Sequence, residues 1–322
     1  MSNCSSSFET LSQLSLKIAL IFNLTLIIIS IILCLIAIYK LITISIFQFS
    51  TRVFLSINLT FVIYHQSAFV AIRVHTLYSL YYGVCDIQLS ECIHIMRGVL
   101  IGSSGIAYIQ VAMTLDRIFS VVFKKKYKKY GMFMGTILIV ISVTLAIFTY
   151  SFIIGENPLT KKVDNCGALP AESFERYGKT ISWIFYLSII DLIMDMFVLR
   201  INIKNEKKQR DIYNVRKRYA SRITLKSIQA IITISIVHFI SQFLYSVMFF
   251  ITITFVEDFM SYVSYLMAII AYPVFYTSIL NASLIIHLIN RLRKQRVENI
   301  RKLTSQKHTF DDYMQTMRAA WK

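Results

Sequence analysis

Two carboxylates four residues apart, Asp191 and Asp195, interrupt a run from Lys179 to Arg200 that carries no other charge. At that spacing they share one face of a helix. Two histidines, His65 between Arg52 and Arg73 and His238 between Lys226 and Glu257, stand about 12 to 13 residues from a basic border. At ~1.5 Å per residue this brings them near the depth of Asp191. A charge at mid-bilayer costs roughly 2.5–3.5 kcal/mol on insertion scales, so the aspartates require a reason. Three chemistries fit: a structural hydrogen-bond network, a ligand contact or activation switch, and a metal or proton site. No HExxH or paired-ligand spacing supports metal, and neither metal nor cofactor is expected.

The elements that position these groups are long uncharged runs. Lys17 to Lys40, Arg52 to Arg73, Arg97 to Asp116, Lys129 to Glu156, Lys226 to Glu257 and Asp258 to Arg291 are charge-free between their borders. With the run holding Asp191 and Asp195 they make seven. A spanning helix needs about 20 apolar residues, and lipid offers no partner to unpaired backbone groups. The fold class expected is therefore all-α, a seven-helix transmembrane bundle. Residues 1–17 form an outer tail, 18–290 the membrane domain and 291–322 a cytoplasmic tail.

Most of the 34 Lys and Arg residues fall in alternate gaps: Lys40 and Arg52, then Arg117 to Lys129, Arg200 to Lys226, and Arg291 to Lys322. Positive residues in short loops stay inside, which puts the amino terminus outside and the tail in the cytoplasm. The net charge of +17 is thereby explained, with no nucleic-acid partner needed. The first 16 residues lack a basic n-region, so no cleavable signal peptide is read there and the first span serves as its own insertion signal.

Cys34 lies inside the first span, whereas Cys4, Cys85, Cys92 and Cys166 all fall on the outer, oxidising side. Four such cysteines allow three pairings. A bond from Cys92, at the start of the third span, to Cys166 would pin the long outer loop over the bundle. Asn3 is a glycosylation sequon in the outer tail, while those at Asn23, Asn58 and Asn281 lie inside spans and are chance matches. Arg97, five residues beyond Cys92, either contacts an anionic ligand or snorkels to the interface, the second being favoured. Tyr78, Tyr81, Tyr82 and Trp183 suit an outer aromatic belt.

At the inner end of the third span stands Asp116-Arg117-Ile118, and the seventh span holds Tyr272-Pro273-Val274-Phe275-Tyr276. With Cys92 and Cys166, these residues resemble rhodopsin-like G-protein-coupled receptors. The resemblance implies a Cys92–Cys166 disulfide and an arginine, Arg117, held by Asp116 at rest and released to the G protein. Pro273 and Tyr276 would be an activation switch, the proline kinking its helix. The chain departs from the pattern at Ile118 and Tyr272, in having no aspartate in the second span, and in having no proline in the sixth.

The segment Tyr213-Asn-Val-Arg-Lys-Arg-Tyr-Ala-Ser-Arg-Ile-Thr-Leu-Lys-Ser-Ile-Gln, with the chain length, short outer tail and lysine-rich inner loops, narrows this. It is similar to the nematode serpentine chemoreceptors, class alpha and its relatives, where Arg-Tyr-Gln precedes helix 6. Here Arg218-Tyr219 match and Ala220 departs. That family implies sensing of an environmental small molecule on the outer side and signalling to a cytoplasmic heterotrimeric G protein. The receptor would sit in the plasma or sensory-cilium membrane, and its coupling face would comprise Asp116, Arg117, Arg218, Tyr219, Arg222 and Lys226. Past the seventh span, Ile289, Leu292, Val297, Ile300 and Leu303 alternate with basic residues. Such a stretch should lie along the inner lipid surface as a short amphipathic eighth helix.

Other functions fit less well. A retinal protein needs a lysine in the seventh span, which has none, and a transporter favours internal repeats that the chain lacks. A membrane hydrolase would rest only on His65, Asp191, Asp195 and His238.

Overall fold

Uncharged runs that must close every backbone hydrogen bond internally become helices. The computed structural model describes residues 14–44, 47–82, 87–155, 162–163, 171–210, 215–255 and 272–320. Seven helices lie among them: α1 Leu14–Thr43, α2 Phe49–Tyr82, α3 Leu89–Val122, α4 Lys124–Ile154, α5 Ala171–Arg210, α6 Val215–Phe255 and α7 Pro273–Ala320. Six are long and apolar enough to cross a membrane. α5 is the seventh, and its lower hydropathy reflects Asp191, Asp195 and a charged inner end.

The helices close into a ring in chain order, α7 returning to α1, with α3 packed inside against α2, α4 and α5. Ile21, Ile32, Phe148, Ile193 and Phe250 are exposed on the outside of the ring, the sheath a lipid-facing bundle presents. The core fills toward the inner half, where Leu41, Phe54, Leu55, Ile109, Met113, Ile231 and Ile285 pack together. Lys40 Nζ donates to Asn290 Oδ1 at 3.2 Å, levelling the inner ends of α1 and α7. Two short strands, β1 Ile87–Gln88 and β2 Lys162–Val163, pair antiparallel and tie the outer loop to the start of α3.

The approach of α2 to α3 depends on glycine. A Cβ on Gly102 would lie 2.6 Å from His65 Cβ and 2.8 Å from its Cα, and one on Gly98 would lie 2.6 Å from Ala68 Cβ. Without a hydrophobic force between helices in lipid, small residues permit the close packing that holds them.

One expectation changes. The tail is not a separate eighth helix lying on the membrane: α7 continues unbroken to Ala320. Residues 274–320 contain no Gly or Pro to stop it, and at ~1.5 Å per residue it is about 72 Å long, far beyond a ~30 Å hydrocarbon core. α5 and α6 both extend past the inner border, α5 ending at Arg210 and α6 starting at Val215.

Candidate functional site

Three polar assemblies are stacked along the bundle. The inner one is built on Asp116 and Arg117, both buried, with Arg117 only 1% exposed. Arg117 Nη2 donates to Asp116 Oδ2 at 2.9 Å and to Ser50 Oγ at 2.6 Å, and Nη1 donates to Gln48 Oε1 at 2.8 Å. From the start of α4, the Tyr127 hydroxyl donates to Asp116 Oδ1 at 2.7 Å. Burial, and then the neighbouring Asp116 charge, push the Tyr127 phenol up to about 12. It therefore stays protonated and keeps its donor at physiological pH. The pair is thus bolted to the α1–α2 turn and to α4, and Arg117 cannot meet a cytoplasmic partner in this arrangement. Among the described residues, Arg117 Nε has no partner, so the buried charge is only partly satisfied.

The middle assembly joins α3, α5 and α6. Asp195 accepts from Thr114 Oγ1 at 2.8 Å and from the Ser235 hydroxyl, and Gln110 Nε2 donates to Ser235 Oγ. Asp191, also buried, has no partner for Oδ1 among the described residues, and it lines a small cavity together with Gln110, Ser188, Ser235 and His238. The two aspartates share the inward face, as their spacing requires.

The outer assembly lines a cavity reached by α2 to α7. Tyr177 from α5 and Tyr245 from α6 exchange a hydrogen bond. The Tyr245 ring meets Tyr272 edge-on at 5.4 Å, and Tyr272 Oη lies 3.2 Å from His65 Nε2. His238 lines this cavity as well as the smaller one, which makes it the residue common to the middle and outer assemblies. His65 does not join Asp191: its ring stacks on Tyr272, 6.1 Å away. Among the described residues, no three His, Cys, Asp or Glu side chains converge in a way that would hold a metal ion.

Arg97 is exposed on α3, with its guanidinium 5.7 Å from the centre of the Tyr150 ring, and it does not line the cavity. This is the packing expected of an interfacial cation. Tyr276 is 42% exposed, while Phe275 is fully buried and Tyr272 lines the cavity. Pro273 is the first residue of α7 and follows the non-helical Tyr272. There its missing N–H removes no intrahelical bond, so the described part of α7 is not kinked by it.

Cys92 is buried and disulfide-bonded. Cys4, Cys85, Cys166 and Asn3 lie outside the described residues. Arg218, Tyr219, Arg222 and Lys226 fall on the first turns of α6. Asn23, Asn58 and Asn281 are buried within helices, which closes those sequons to glycosylation. Sequence reading missed Tyr127, Gln48, Ser50, Tyr177 and Tyr245. Each is an ordinary boundary or span residue, and only its neighbours from other helices give it a role.

A ring of seven helices around α3, with a buried Asp-Arg pair at the inner end and a cavity in the outer half, defines a serpentine membrane protein. The family model described as "Serpentine type 7TM GPCR chemoreceptor Sra" matches residues 1–321. Serpentine receptor class alpha-11 of Caenorhabditis briggsae is 32% identical over 94% of this chain and 92% of its own length. Its Caenorhabditis elegans counterpart is also 32% identical, with the same coverage. Serpentine receptor class alpha-13 of C. elegans is 29% identical over 94% of this chain. The chain belongs to the class alpha serpentine chemoreceptor family. It is a multi-pass membrane chemoreceptor.

Proposed function

We propose that this receptor binds an environmental small molecule in the outer cavity and activates a cytoplasmic heterotrimeric G protein through the inner ends of α3 and α6. The observation that carries this reading is the buried Arg117, pinned by Asp116, Ser50 and Gln48. A guanidinium with an unpaired Nε in a buried site is costly, and such a charge is retained where its release has a use.

α6 connects the two ends. Tyr245 and His238 line the cavity, Ser235 holds Asp195, and Arg218, Tyr219, Arg222 and Lys226 fall on the first turns, at the inner end. A ligand seated against Tyr245 and His238 shifts α6 and takes Ser235 away from Asp195. The α5–α6 inner extension then moves off α3. A ligand changes the resting balance only by binding the open state more tightly than the closed one. Asp191, Asp195 and His238 belong in this scheme to the relay, and the Cys92–Cys166 bond holds the outer loop beside the cavity. Asn3, on the outer tail, is the proposed glycan site.

The test is a ligand screen in cells expressing the full chain with a promiscuous G protein. Arg117→Ala should erase every response found while surface expression persists. Undiminished signalling from that variant removes Arg117 from the coupling role.

A further inference from the structure

The lining of the outer cavity specifies the charge and the polarity of its ligand. No Lys, Arg, Asp or Glu among the described residues lines it. The nearby Arg73 is turned to Asn23, with Nε donating to Oδ1 at 3.3 Å, and its guanidinium lies 5.8 Å from the centre of the Phe69 ring. An ion entering the cavity would lose its water and gain no counter-charge, at a cost no neutral molecule bears.

The wall is nevertheless not that of a purely apolar pocket. Among the described residues, Asn281 Oδ1 on α7, in a side chain 8% exposed, and His238 Nε2 on α6 have no hydrogen-bond partner. Both line the cavity, as do the Ser241 hydroxyl and the rings of Tyr177, Tyr245 and Tyr272. Buried polar atoms are almost always paired, so two orphaned atoms lining one cavity mark where a missing partner belongs. The tyrosine rings supply flat apolar faces and edges to an aromatic or short alkyl body.

We infer that the cavity is built for an uncharged molecule with an apolar, ring-sized body and a hydroxyl group that pairs with Asn281 and His238, and that it discriminates against ions of the same shape. This rests on the cavity being the ligand site proposed above. A hydroxyl donates its one hydrogen to Asn281 Oδ1 and accepts from His238 Nε2 in the tautomer that carries the proton there.

Four probes of one frame separate the alternatives: 2-phenylethanol, ethylbenzene, phenylacetate and 2-phenylethylammonium. Each is added at up to about 1 mM, a concentration suited to weak ligands, to the purified full-length chain in lipid nanodiscs, and binding is read as a rise in unfolding temperature. 2-Phenylethanol should bind at least about tenfold more tightly than ethylbenzene, and the two ions should not bind. Asn281→Ala and His238→Phe should each weaken 2-phenylethanol by on the order of tenfold, the effect of one lost hydrogen bond. Ethylbenzene affinity should hold in both variants, showing that they are folded.

The inference is overturned if either ion binds as well as the alcohol, if ethylbenzene equals it, if the two variants leave alcohol binding unchanged, or if 2-phenylethanol fails to bind at that concentration. Binding of 2-phenylethanol without reporter activation upholds the inference and counts against G-protein coupling instead. Activation by a charged odorant alone does the reverse.

Discussion

Tyr127 donates its phenolic hydrogen to Asp116 Oδ1 at 2.7 Å, while the other oxygen of the same carboxylate receives Arg117 at 2.9 Å. One aspartate thus ties the start of α4 to the inner end of α3, and the arginine is held by a group that is itself held. Releasing Arg117 requires this two-sided grip to loosen, which makes Tyr127 a control point as much as a strut.

Tyr127→Phe keeps the ring and removes the hydroxyl, with its bond to Asp116 and its longer contact of 3.4 Å to Ser50 Oγ. A hydrogen bond to a charged group contributes about 1.5–3 kcal/mol, so the resting state should weaken and ligand-independent signalling should rise roughly tenfold. Reporter output normalised to surface expression measures it, and unchanged basal output denies Tyr127 a part in the resting lock.

The phenol remains protonated up to about 12, so the Tyr127–Asp116 bond should be insensitive to cytoplasmic pH between 6 and 8. The sign follows from a raised tyrosine pKa: the neutral donor persists through the whole of that window and is lost only far above it. Basal signalling measured over this range should be flat as far as Tyr127 is concerned, with Tyr127→Phe shifting its level and leaving its slope unchanged.

Asp195 accepts from Thr114 and Ser235. Asp195→Leu leaves the Thr114 hydroxyl without its acceptor and Ser235 with only the Ile231 carbonyl, at about 1–3 kcal/mol for a buried group left unpaired. The unfolding temperature of the purified receptor should fall. Asp195→Asn, which retains one acceptor oxygen, should fall less, and equal losses would mean that the hydrogen bonds are not what the carboxylate supplies.

Gly102→Leu places side-chain atoms where His65 Cβ and Cα already stand. Both helices must part, and overpacking of this kind typically costs about 1–3 kcal/mol. Surface expression should drop sharply for Leu and less for Ala, as quantified by flow cytometry of intact cells.

Cys92→Ser should reduce surface expression and ligand response together. Peptide mapping of the non-reduced receptor should yield a Cys92–Cys166 linked pair. A peptide joining Cys92 to Cys4 or Cys85 would reassign the bond.

The amino-acid sequence by itself determined the seven runs, their orientation and the helix faces. Charge is too costly in lipid to be placed freely, so Lys and Arg at the borders report topology directly, and the interval between Asp191 and Asp195 puts both on one face without reference to any neighbour. The Asp116-Arg117 pair was legible for the same reason: it is local and sits at a marked boundary. Tertiary structure alone decided who meets whom. Gln48 and Ser50 reach Arg117 from about 70 positions away, and Tyr177 meets Tyr245 across 68; no periodicity encodes such partners, since they depend on how rigid helices rotate and tilt when their small residues interlock. That Tyr272 lines the cavity while Tyr276 is half-exposed is likewise invisible in a stretch where every residue is apolar or aromatic and neither face is marked by charge.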